Sequence, residues 1–210
     1  MSRRTGSVIR LKRSVIAYPQ GDRLYLNVTN TCSLRCSFCP KTGGDWRIGG
    51  RHLRLQHEPT LEEIVAAVGD PGAYREVVFA GLGEPTMRLY TVLEAGKEIR
   101  RLGGRVRLDT DGLANLRHDR DITADLEGHI DALSVSLNAQ DDSTYNRYCR
   151  PRHAHSRGAV LDFADRACDF VPEVTLTAIA GLPGVDLAAC EGIAATMGAD
   201  FRQRTLGVID

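Results

Sequence analysis

The sequence predicts an α/β fold on a parallel sheet of six βα units, and three observations carry that prediction. Short runs rich in β-branched residues alternate with helical stretches from Leu24 onward. Such alternation implies parallel pairing through right-handed crossovers. The 210 residues, 42% apolar and 26% charged, have the size and composition of one globular domain. Unusual residues also stand just after the strand-like runs, where parallel α/β folds place their sites.

Residues 1–22 carry Arg3, Arg4, Arg10, Lys12 and Arg13 with no acid before Asp22. They read as a solvated N-terminal arm or an edge hairpin turning at Pro19-Gln20-Gly21-Asp22. The domain proper is residues 23–210. Its first strand is Leu24 to Val28, followed by a cysteine-containing loop and a long polar loop from Lys41 to Pro59. Thr60 with Glu63 three residues on is a capping box, opening a helix with a stripe of Leu61, Ile64, Val65 and Val68. The second strand is Glu76 to Ala80. The next helix, Met87 to Leu102, buries Leu89, Val92, Leu93 and Ile99 and stops at Gly103-Gly104. A third strand, Arg105 to Leu108, precedes a weaker helix from Asp121 to Glu127. The fourth strand is Ala132 to Leu137, with helices near Ser143 to Tyr148 and Ala159 to Phe170. The fifth strand, Val174 to Ile179, leads through a helix at Leu187 to Met197 to a sixth strand, Phe201 to Leu206. No second cysteine cluster and no appended domain are expected.

Charge and hydropathy narrow the function classes. The 27 basic and 27 acidic residues cancel, so nothing global points to nucleic acid or an anionic membrane. No apolar run approaches ~18 residues, so no membrane span is expected. The N-terminus has basic residues but no apolar core of a secretory signal. Cys149, Cys168 and Cys190 are scattered, which is not a disulfide framework. Together these place the chain in a reducing cytoplasm.

Chemistry concentrates in Cys32, Cys36 and Cys39, spaced C-x3-C-x2-C directly after the first strand. Thiolate is a soft ligand, and closely spaced cysteines suit an iron–sulfur cluster or zinc. Three thiolates on a four-iron cluster leave one iron without a protein ligand, open to a substrate or cofactor. Phe38 is placed to shield such a cluster from water. A zinc knuckle or three unligated thiols remain the alternatives. Against zinc stand the lack of a fourth ligand nearby and the position of His52, thirteen residues past Cys39.

The pattern C-x3-C-x-Phe-C after a first strand resembles the signature of the radical S-adenosylmethionine (SAM) superfamily. The six βα units then match that superfamily's partial (β/α)6 barrel rather than a closed eight-fold one. The resemblance implies a [4Fe-4S] cluster on Cys32, Cys36 and Cys39, SAM on the free iron, and reductive cleavage of SAM to start radical chemistry on an unidentified substrate. Gly81-Leu82-Gly83-Glu84-Pro85 is similar to the superfamily's Gly-Gly-Glu-Pro turn, which binds the amino group of SAM. Thr110-Asp111-Gly112 stands where many relatives read Thr-Asn-Gly, so Asp111 is either a SAM contact or a turn aspartate. Strand four reads Ser134-Val-Ser136-Leu-Asn138, with three polar residues on one face; by resemblance Ser136 and Asn138 contact SAM, and Arg150 pairs with its carboxylate. In relatives the turn that Gly181 occupies packs against adenine, so the resemblance implies that contact here. Arg202 and Arg204 share a face of strand six that points either inward or to water. Trp46, Arg47, His52 and His57 are candidates for substrate contacts, and Cys149 is a packed thiol, a hydrogen donor or a nucleophile.

Further stretches, Tyr-Leu-Asn-Val-Thr-Asn-x-Cys and Tyr-Asn-x-x-Cys-Arg-Pro among them, resemble the radical SAM proteins associated with TatD-type nucleases. The expected partners are an electron donor such as flavodoxin or ferredoxin and a small-molecule or protein substrate. Competing functions are glycyl-radical activation of a partner protein, transfer of the methyl or aminocarboxypropyl group of SAM, and a non-catalytic zinc module.

Overall fold

A computed structural model describes residues 14–206. The arginine run from Arg3 to Arg13 lies outside the described residues. β1 (Ala17–Gln20) and β2 (Arg23–Leu26) form a hairpin across Gly21, whose φ of 59° suits a residue without a Cβ. The polar loop after the cysteines contains a small hairpin of β3 (Arg47–Ile48) and β4 (Arg51–His52). α1 (Leu61–Val68) starts on the anticipated capping box, Thr60 Oγ1 accepting from the Glu63 N–H at 3.2 Å and Glu63 accepting from the Thr60 N–H at 2.8 Å. Such a cap contributes about 1 kcal/mol.

β5 (Glu76–Phe79) leads to α2 (Leu89–Arg101), and β6 (Val106–Thr110) to the short α3 (Ala114–His118). β7 (Ala132–Ser136) is followed by α4 (Asp142–Cys149) and α5 (Ser156–Ala167). β8 (Glu173–Ile179), α6 (Leu187–Thr196) and β9 (Asp200–Arg204) complete the chain. The sheet order is β1-β2-β5-β6-β7-β8-β9, and every pairing but β1–β2 is parallel. Six parallel strands in sequence order, open at β9, make the anticipated partial (β/α)6 barrel.

Two sequence expectations needed correction. The helix expected at Asp121 to Glu127 is α3 some seven residues earlier plus a short 3-10 turn, Thr123–Leu126. Asp121 explains the shift: its carboxylate accepts from the Thr123 N–H and Oγ1, which serves a turn rather than a longer helix. The third strand runs on to Thr110 instead of stopping at Leu108, which carries Asp109 into the sheet.

The strands alternate between two environments. One face, with Leu26, Phe79, Leu108, Leu133 and Leu176, packs under the helices as the main core. Each such side chain contributes roughly 1.5–3 kcal/mol by leaving water. The inner face is divided. Toward β1, β2 and β5 it is apolar, Tyr18 stacking on Tyr25 at 5.5 Å, with Leu53, Val78, Ala80 and Leu82 beside them. Toward β6–β9 it is polar, with Asp109, Ser134 and Ser136 on the same side of the sheet. The loop from Lys41 to Pro59 fills the apolar half: Leu53 is fully buried there, and Trp46 and Ile48 pack against the same cluster.

Candidate active site

The polar half of the inner face opens at the carboxyl ends of the strands into a cleft of about 170 Å3. Cys32, Cys36 and Cys39 line it from the loop after β2, with Phe38 beside them. Gly81, Gly83 and Glu84 line it from the turn after β5, and Thr110 and Asp111 from the end of β6. Ser136, Asn138 and Arg204 form its far wall. Residues far apart in the chain therefore meet as the sequence motifs anticipated.

Close backbone approach builds the turn after β5. A Cβ at Gly83 would stand 2.1 Å from the Thr29 carbonyl oxygen, so only glycine lets β5 draw up against the end of β2. At Gly81, φ is 148° and a Cβ would meet Asn27 Oδ1 at 2.7 Å. Pro85 starts a 3-10 turn that swings Glu84 inward. Glu84 is buried, and its carboxylate accepts four hydrogen bonds: from the Thr86 N–H at 3.0 Å, Thr86 Oγ1 at 2.7 Å, Thr110 Oγ1 at 2.8 Å and the Asp111 N–H at 2.7 Å. Asp111 is buried beside it, accepting from Ser33 Oγ and the Leu113 N–H. Asp111 is thus both a turn aspartate and part of the cleft wall.

Two carboxylates in one buried place repel each other. Burial, and then the charge of Asp111, pushes Glu84 up to about 8 against the pull of its hydrogen-bond donors. Burial likewise raises Asp111. Among the described residues no lysine or arginine makes a hydrogen bond or ion pair with either. The thiols feel the same field. Cys32 is pushed up to about 12 by burial, Asp111 and Glu84; Cys36 is raised by its hydrogen bond to Cys149 and by burial, and Cys39 by burial.

This chemistry suits a cationic ligand. Metal coordination deprotonates thiols outright, and an ammonium group beside Glu84 and Asp111 offsets their mutual repulsion. Cys32, Cys36 and Cys39 line one cleft, and their soft thiolates are the donors that an iron–sulfur cluster takes.

Other anticipated residues fall elsewhere. Arg150 does not line the cleft: it is exposed and left-handed (φ 49°) at the end of α4, because Cys149 before it turns inward. The guanidinium at the cleft is that of Arg204, donating to Asn138 Oδ1 at 3.1 Å and Ser136 Oγ at 3.4 Å. Arg202 lies on the same face of β9, and its charge reaches Asp109 and Tyr25, so the pair points inward. Gly181 sits in an exposed turn after β8 with φ 82°. None of the loop candidates lines the cleft. Trp46 lies between Lys41 and Arg54, 5.5 and 5.6 Å from its ring centre; His57 bonds Glu63 at 3.0 Å; Arg47 and His52 are exposed. Cys149 is buried and packed, receiving a hydrogen bond from Asn138 Nδ2 at 3.4 Å.

Sequence reasoning passed over two residues. Asp109 lines the cleft with Oδ1 sealed from solvent and lacking a hydrogen-bond partner. Period-two alternation with Arg107 on a strand carried through Thr110 was the available signal. Ser33, between the first two cysteines, braces Asp111, and nothing in its spacing announces that.

An open parallel barrel with three thiols and a buried acidic pair at its carboxyl end defines a cofactor-dependent enzyme of the α/β class. The chain belongs to the Radical SAM superfamily, whose family model matches residues 26–197. The superfamily's cofactors, a [4Fe-4S] cluster and SAM, are therefore this domain's cofactors. Two curated proteins described as probable dual-specificity RNA methyltransferase RlmN are similar. The one from Thermobifida fusca is 28% identical over 176 residues, covering 74% of this chain. The one from Clostridium acetobutylicum is 24% identical over 164 residues. The chain spans 45% of the length of each. Among solved structures, TYW1 with a lysine–pyruvate adduct bound matches at a TM-score of 0.62 and 16% identity, over 88% of this chain and 64% of that one. Streptococcus suis SuiB bound to S-adenosylmethionine matches at 0.63 and 14%, over 90% and 41%. A radical SAM methyltransferase from Sphaerobacter thermophilus matches at 0.55 and 18%, over 90% and 68%. These likenesses show the fold.

Proposed function

We propose that the cleft cleaves SAM reductively and directs the resulting radical at a substrate. The observation that carries this reading is the meeting of three cysteine thiols and an acidic pair in one cleft. Cys32, Cys36 and Cys39 hold the cluster. When bound, the cluster supplies one electron that splits SAM into methionine and a 5′-deoxyadenosyl radical. Glu84 and Asp111 receive the α-ammonium of SAM at the turn of Gly81, Gly83 and Pro85. Ser136 and Asn138 orient the ribose, and Arg204 takes the carboxylate role expected of Arg150, since its fork already stands over both. Thr110 steadies Glu84, Phe38 excludes water from the thiols, and the turn at Gly181 walls the adenine.

The finer placement is with the TatD-associated radical SAM proteins, on the stretches named in the sequence. The electron donor is of flavodoxin or ferredoxin type and the compartment the cytoplasm. Among the described residues no helix is long and apolar enough to cross a membrane. Anaerobic reconstitution with iron and sulfide, then incubation with SAM and dithionite, should release 5′-deoxyadenosine. A brown protein that releases none with several reductants would overturn the reading. A second reading, methyl transfer from SAM, is favoured by the methyltransferases among the similar proteins. Mass spectrometry of the SAM products after one turnover separates the two: S-adenosylhomocysteine marks methyl transfer.

A further inference from the structure

The chain is neutral as a whole, but its charge is unevenly placed. Two segments flank the mouth of the cleft, and both are basic. From Lys41 to His57 stand Lys41, Arg47, Arg51 and Arg54 against the single acid Asp45. From Ser143 to Leu161 stand Arg147, Arg150, Arg152 and Arg157, with His153 and His155, and no acid at all. The structure brings the second segment to the mouth. The Arg35 N–H donates to the Cys149 carbonyl at 3.2 Å and the Ser37 N–H to that of Tyr148 at 2.8 Å, so α4 ends against the cysteine loop. Arg157 donates to the carbonyls of Ala139 and Gln140, pinning the α4–α5 connection at the carboxyl end of β7. Arg35, Arg147, Arg150 and Arg152 are left exposed around that contact.

A second observation concerns aromatic rings. Each flank carries a cation–aromatic pair: Arg54 lies 5.6 Å from the ring centre of Trp46, and Arg147 lies 5.3 Å from that of Tyr148. The rings themselves are covered, Trp46 half-buried and Tyr148 buried, but both guanidinium groups are exposed, and exposed arginine planes held over a ring are surfaces on which unstacked bases lie beside a phosphate chain. An acidic peptide would use the charge but not the stacking surface. The reacting groups also lie in a cleft below the rim, which a base turned out of a strand can enter and a paired base cannot.

We infer that the rim formed by the 41–57 loop, the cysteine loop and the α4–α5 connection is a docking surface for single-stranded nucleic acid, which delivers one nucleotide to the cleft. This rests on the reading of the cleft as the site of SAM cleavage and names the substrate class. The test is fluorescence anisotropy of a labelled 20-nucleotide RNA, and of DNA of the same sequence, titrated with the reconstituted protein at several salt concentrations. Binding of either strand is expected, weakening as salt rises. The triple variant Arg35→Ala, Arg147→Ala, Arg152→Ala should bind about tenfold more weakly, with a log–log salt slope shallower by about 2, at about 0.7 per lost phosphate contact. Lys97→Ala with Arg101→Ala, two cations at the far end of α2, should change neither. The inference is overturned by an unchanged signal at low salt, by equal weakening in the control variant, or by equal competition from polyglutamate or anionic vesicles. Release of 5′-deoxyadenosine, measured without nucleic acid on the same preparation, separates failure of the docking surface from failure of the cleft reading. Circular dichroism melts confirm that the variants remain folded.

Discussion

The two ends of the sheet treat buried acid in opposite ways. At the amino end Glu76 is 2% exposed and fully answered: Arg23, Arg105 and Arg107 hydrogen-bond its carboxylate at 2.8–3.3 Å. Burial alone would raise it, but hydrogen bonds and charge from Arg107, then Arg105 and Arg23, outweigh that and hold it near 2. At the carboxyl end Glu84 and Asp111 are buried together, and among the described residues no cation is bonded to either. At one end the buried carboxylate is answered by three guanidinium groups; at the other the acidic pair has only neutral hydrogen-bond donors. A fold that satisfies itself in one place and not in another marks where it expects company.

The largest effect should come from the unsatisfied end. Cys36→Ser should abolish the brown chromophore and lower 5′-deoxyadenosine release by about 100-fold or more, since a cluster lacking one of three ligands does not persist. Iron content and product assay check this, and a fully loaded, active variant would erase the distinction between the ends. Next comes the satisfied end. Glu76→Gln leaves three guanidinium groups short of their carboxylate and should cost about 2–4 kcal/mol in denaturant melts. Product release per folded molecule should stay unchanged. A loss of activity without loss of stability would show that the ends are not independent.

The acid and base limbs of stability sharpen the comparison further. Glu76 titrates lower in the folded chain than in the unfolded one. Its contribution, of order 2 kcal/mol after screening, is present above about pH 4.5 and lost as pH falls toward 2. Glu84 titrates higher when folded. Its contribution is present below about pH 4.5 and lost as pH rises through about 8. Cofactor-free protein should therefore melt at a higher temperature at pH 5.5 than at pH 8.5. Saturating SAM on the reconstituted protein should reduce that difference, because its ammonium group answers the acidic pair. Calorimetry at both pH values, with and without ligand, measures this.

Legibility in the sequence followed the same division. The cysteines, the glycine turn, Ser136 and Asn138 were readable because their spacing after strands is itself the signal, and the structure gathers them in one cleft. The α1 capping box was readable for the same reason: both partners are local. What depended on where a chain comes to rest was not readable. Arg150 follows the right motif but points outward, whereas Arg204, on the last strand, reaches across to Asn138. The buried acidic pair required knowing that β6 continues to Thr110 and so sets Asp111 against Glu84. Net charge, a sum over the whole chain, concealed the basic rim because acids on the helices cancel it.

Among the described strands β9 is the last in the sheet, and its outer row of amides pairs with no other described strand, while its inner side carries Arg204 into the chamber. A wall made of a terminal strand can peel. Hydrogen exchange should find the amides of β9 trading fastest among the parallel strands, and protected more by ligand than those of β5 or β6. The chamber would then have a soft side: its width is set by how firmly one outlying ribbon is zipped to its neighbour, and a bulky guest gains entry by unzipping it.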